Sequence, residues 1–147
     1  MANDLEESMG PGRLSKGGFL GKDEKLGEVL NADDETVKRL GLTHGKIADR
    51  LEYFIKAVNC YPERDGKIVD GRFHVSGIVW RGVQPCPWDG TSKYGSIDMT
   101  VKNLATEESI SFPGLIVHLI REHKFYEGPK SHYRVDPEKA ARVLEIK

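Results

Sequence analysis

The chain has 147 residues, long enough for one domain with a core of its own. Hydrophobic residues make up 38% and charged residues 31%, which leans polar but stays within the globular range. A formal net charge of -1 supplies no global field to gather nucleic acid or an anionic membrane, so neither partner is expected. No apolar run reaches the roughly 18 residues of a membrane-spanning helix, and the N-terminus lacks the apolar stretch of a secretory signal. Cys60 and Cys86 are too few for a disulfide framework, and a reducing cytoplasm is the natural setting.

Residues 1–25 are rich in glycine, serine and charge, and bury too little to offset the entropy of ordering them. A disordered tail is the expectation, with Phe19 and Leu20 as a local anchor. From Asp33 the pattern turns helical. Asp33 or Asp34 is expected to cap a short helix carrying Val37 and Leu40, ended by Gly41. Thr43 then caps a second helix on which Ile47, Leu51, Phe54 and Val58 recur at helical spacing. Pro62 and the Asp65-Gly66 pair close it.

The middle reads as β-structure. Phe73, Val75 and Val79 on one face, with Ile78 and Trp80 on the other, predict a strand buried on both sides. Ile97, Met99 and Val101 alternate with Asp98, Thr100 and Lys102, and Ile110 and Phe112 alternate with Ser109 and Ser111. Joined by the polar stretch 103–107, the two runs predict an antiparallel hairpin. Pro113-Gly114 opens a helix with Leu115, Ile116, Leu119 and Ile120, and Asp136-Pro137 opens a last one with Ala140, Val143 and Leu144. The order predicts an α+β fold for residues 26–147: an antiparallel sheet of about three strands packed with an N-terminal helix pair and two C-terminal helices.

Four groups of residues could carry function. Cys86 and Asp89 lie in a turn-like segment after a strand, and His118 and His123 lie on the helix after the hairpin. A knuckle facing a helix that bears two histidines is the layout of mixed cysteine–histidine zinc sites. Asp89 must replace a second cysteine, unless Cys60 or His132 arrives from elsewhere. Five positions along an ideal helix also turn His123 about 140° from His118, so the helix must distort for both to reach one ion. The competing reading makes the histidines packing residues.

The run from Leu40 to Leu51 has the look of a helix-turn-helix, yet Glu52-Tyr53-Phe54-Ile55 continues the same helix where a recognition helix would need a break. Arg121, Glu122, His123, Glu127, His132, Tyr133, Arg134 and Asp136 could pair for acid–base work on an anionic substrate, although such density usually marks a solvated face. Cys86 with His123 as its base could be a reactive thiol. Finally, Trp80, Arg81, Gln84 and Trp88 surround a loop held by prolines and glycines, the residue types that anchor a recognition surface.

The segments Trp80-Arg81-Gly82, Cys86-Pro87, Phe112-Pro113-Gly114-Leu115, His118-Leu119-Ile120-Arg121-Glu122-His123 and Tyr133-Arg134-Val135-Asp136-Pro137 resemble small bacterial proteins described only as uncharacterised or cytosolic. Gly17-Gly18-Phe19-Leu20-Gly21 and the helix from Thr43 are similar to them as well. The resemblance implies a cytoplasmic, bacterial-type protein and carries no activity. The leading expectation is a non-enzymatic domain that binds a protein or small ligand and needs no cofactor. The alternatives are a zinc-stabilised domain using Cys86, Asp89, His118 and His123, and a small cysteine- or histidine-dependent enzyme.

Overall fold

The computed structural model describes residues 20, 25–57, 66–79, 86, 88–89, 97–129, 131 and 134–147. Of the expected tail, Leu20 and Lys25 fall within this set, and Leu20 is buried in the core as the anticipated anchor. Cys60, Trp80, Arg81, Gln84, His132 and Tyr133 lie outside it.

The first helix is longer than its sequence pattern suggested. Helix α1 spans Leu26–Arg39, starting after extended Lys25, and buries Leu26, Val29, Asp33 and Val37 along one stripe. Asp33 and Asp34 are therefore mid-helix and cap nothing; an aspartate in an apolar position hid the periodicity. Gly41, at φ 72°, ends the helix in a conformation that glycine adopts without strain. Helix α2 spans His44–Ala57, and the Lys46 backbone N–H donates to Thr43 Oγ1 at 3.2 Å, the expected cap. It runs unbroken to Ala57 and buries Ile47, Ala48, Leu51 and Phe54, so among the described residues no recognition helix follows a turn within 44–57.

Among the described residues, four strands, one more than expected, form a single antiparallel sheet in the order β1-β2-β3-β4. They are β1 Lys67–Val69, β2 Phe73–Val79, β3 Ile97–Asn103 and β4 Ser109–Pro113. The extra strand, β1, pairs with β2 through a tight turn in which Asp70 and Gly71 have φ of 54° and 69°. The β3–β4 hairpin matches its pattern, with Ile97, Met99, Val101, Ile110 and Phe112 facing inward. Strand β2 departs from expectation: Phe73 and Val75 are buried, but Ile78 and Val79 are 56% and 57% exposed. Gly77 stands opposite Met99, and a Cβ there would sit 2.9 Å from the Met99 sulfur, so the missing side chain makes room for it.

The helices cover one face of the sheet. Phe54 of α2 meets Phe73 of β2 edge to face at a 5.1 Å ring separation. Helix α3, Leu115–His123, follows β4 directly and packs along α2, burying Leu115, Ile116, Val117, Leu119 and Ile120. Helix α4, Pro137–Val143, carries the expected cap, the Asp136 side chain accepting from the Glu138 N–H, and packs against α1, α2 and β4. Leu51, Met99, Ile110 and Leu119 belong to one hydrophobic cluster, so the stripes predicted from separate elements share one interior. No helix among the described residues is long and apolar enough to cross a membrane.

Candidate metal centre

Strand β2 ends, β3 begins and β4 ends at the same end of the sheet, as the pairs Val79–Ile97 and Asp98–Pro113 show. Helix α3 starts there too, so the connection between β2 and β3 emerges beside it. That topology brings Cys86, Asp89, His118 and His123 together. One ligand-type atom from each of the four lies within 4.8 Å of every other. Asp89 Oδ2 is the hub, 3.0 Å from His118 Nε2 and 3.3 Å from His123 Nε2.

The expected obstacle was the angular divergence of the histidines. Two features of α3 bear on it. His123 is the last residue of the helix, and the closing turn is wide: the Lys124 N–H reaches both the Ile120 and Leu119 carbonyls, and the Phe125 N–H also bonds Leu119. Lys124 itself is left-handed, with φ 56° and ψ 32°. Both imidazoles also use Nε2, their outermost nitrogen, and their rings meet edge to face at 5.3 Å.

Trp88, between the two non-histidine members, fixes one ring. Its indole stacks on the His123 imidazole at 4.4 Å and 7°, and meets Phe125 edge to face at 5.3 Å. This residue of the suggested recognition surface is thus packed inward, partly buried against the core.

Burial differs across the cluster. Cys86 is 2% exposed, while the Asp89 side chain is 42% exposed, so water reaches the group from the aspartate side. Burial pushes the Cys86 thiol up, whereas hydrogen bonds from the Asp89 and Trp88 backbones favour the thiolate. Burial of this kind favours the neutral thiol. The same backbone donors suit a sulfur whose charge is neutralised by a cation.

Among the described residues, those suggested for acid–base chemistry do not gather at one point. Arg121 pairs with Asp49 and Glu52 on α2, Glu122 is exposed, and Asp136 caps α4. Glu127 and Arg134 instead join a buried polar group that sequence reasoning missed. Arg134 donates to both carboxylate oxygens of Asp33, at 2.8 and 2.7 Å, and to the Glu127 carbonyl at 2.7 Å. Tyr126, fully buried, lies 2.8 Å from His44 Nδ1, and His44 Nε2 lies 2.8 Å from Asp34 Oδ1. Because a carboxylate accepts, Nε2 donates to Asp34, and Nδ1 faces the tyrosine hydroxyl. Burial, with Asp33 and Asp34 nearby, pushes the Tyr126 hydroxyl up and keeps it a donor. These partners lie 82 and 101 residues apart in the chain, beyond any local pattern.

The fold and the cluster define a small α+β domain with a candidate metal centre of four donors. Comparison with protein-family models, with curated proteins and with solved structures finds no match.

Proposed function

We propose that this is a zinc-stabilised domain in which one ion, held by Cys86, Asp89, His118 and His123, staples the β2–β3 connection to helix α3. The observation that carries the reading is the mutual approach of four donors from two separate segments to within 4.8 Å. Zinc at its usual bond lengths sets tetrahedral donors about 3.3–3.8 Å apart. The two contacts of Asp89, 3.0 and 3.3 Å, are already near that spacing, and the widest separation must close by about 1 Å.

The donor types select the metal. One sulfur and two imidazoles suit zinc and its transition-metal neighbours, whereas calcium and magnesium require oxygen ligands throughout. Four protein donors fill a tetrahedral shell and leave no position for substrate, which makes the ion structural. A structural ion fits a non-enzymatic binding domain in a reducing compartment, where Cys86 stays a free thiol able to give up its proton to the ion.

The test is metal analysis of protein purified without a histidine tag, followed by cobalt substitution. One zinc per chain is expected, replaced by cobalt with the absorption of a tetrahedral site that includes a thiolate. Cys86→Ser should retain the tetrahedral cobalt signal but lose the sulfur band. Metal well below one equivalent after incubation with zinc, or a cobalt spectrum indifferent to Cys86→Ser, overturns the proposal.

A further inference from the structure

The connector between α3 and α4 is seated on α1 and α2 through polar groups, and one of them is poorly matched to its surroundings. Glu127 is 1% exposed and holds a left-handed backbone, φ 66°, which disfavours a side chain of its kind. Ser131 Oγ donates to its Oε1 at 2.7 Å. The guanidinium beside it, Arg134, is engaged bidentately by Asp33, so its charge is already matched, and it meets Glu127 through the backbone carbonyl.

Among the described residues, the titratable and charged groups around this seat are Asp33 and Asp34 on α1, His44 on α2, and Tyr126 and Arg134 on the connector itself. Lys38 pairs with Asp34 at the solvent side. The part-buried guanidinium is therefore matched by Asp33, and Asp34 by Lys38 and His44, before Glu127 contributes anything. Among the described residues, the Glu127 carboxyl is met by the Ser131 hydroxyl and by no cation, short of what a buried charge requires.

We propose that Glu127 is a proton-operated clasp: as the neutral acid it seats the connector against α1 and α2, and on releasing its proton to solvent it drives the connector off them. Burial pushes this carboxyl up to about 8, with the Ser131 hydroxyl acting in the opposite direction. A carboxyl raised in the folded state stabilises that state fully below the ordinary range, near 4.5, and loses the effect as pH rises through about 8. The clasp therefore holds at mildly acidic pH and loosens on alkalinisation. Its groups are separate from the four donors of the metal centre, so it stands whether or not zinc binds.

The experiment is a carbon-13 NMR titration of glutamate side-chain carboxyls in the full chain, paired with amide exchange of the 125–131 connector in wild type and Glu127→Gln. One glutamate should titrate far above the rest, near pH 8. The protection that wild type loses relative to Glu127→Gln between pH 5 and 8.5 should reach about a hundredfold or more. Ser131→Ala should move the high midpoint upward, which keeps the idea testable if Glu127→Gln fails to fold. Glutamates that all titrate in the ordinary range, or a glutamine variant with the wild-type pH dependence, overturn the clasp.

Discussion

Removing the proposed zinc ion is the perturbation whose size follows most directly from the structure. Asp89 and His118 are 29 residues apart, so an ion bridging them closes a loop of about that length in any chain that keeps it. The chain-entropy relation for such a cross-link gives about 3.5 kcal/mol at 25 °C. For a domain of this size each kcal/mol moves the melting temperature by roughly 2–4 °C, so zinc-loaded protein should melt about 7–14 °C above protein stripped with a chelator. An ion that leaves the unfolded chain stabilises by mass action instead, and the difference then grows with the free zinc concentration. The assay is calorimetry or circular dichroism of both forms, repeated on His118→Ala. That variant should melt near the stripped wild type and respond little to zinc. Equal melting of the two wild-type forms refutes the staple, and so does an undiminished zinc response in His118→Ala.

Three further outcomes are expected. Asp33→Ala leaves the part-buried Arg134 without its bidentate partner and should cost about 3 kcal/mol in urea unfolding; a loss within error would show that water readily reaches the guanidinium. Asn103→Ala removes donors to the Val143 carbonyl and Glu145 and an acceptor for the Ala105 N–H, and should cost about 2–4 kcal/mol in the same assay. Glu108→Gln should leave the neutral-pH melting temperature nearly unchanged, because its pairing with Arg142 is on the surface. Arg142 lowers the Glu108 carboxyl, so whatever the pair contributes is present above the ordinary carboxyl range and fades as pH falls; a large neutral-pH loss would contradict that placement.

Much of the fold was legible because its signals are local. The alternation through Ile97–Val101 and Ile110–Phe112, the Thr43 cap and the Asp136-Pro137 opening each depend on residues within a few positions of one another. Strand β1 was missed because three residues are too few to show a period, although Asp70-Gly71 is a hairpin turn signal. The start of α1 was missed because Asp33 occupies a buried position that pattern reading reserves for apolar groups; its justification, Arg134, lies 101 residues away. The four metal-type donors could be named from residue type and spacing, but their convergence could not. It depends on the end of the sheet at which β2 finishes and β3 begins, beside the start of α3, which is set by strand pairing and not by the residues around the donors.

The nearly parallel contact of Trp88 with His123 turns the centre into its own optical reporter. Imidazole held flat against indole perturbs the fluorescence of the latter, so any event that shifts His123 should alter tryptophan emission with no label attached. Trp80 adds a background that Trp80→Phe would subtract. Cobalt or copper entry, chelation and loosening of the neighbouring connector could then be followed in real time, in one cuvette, on the unmodified site.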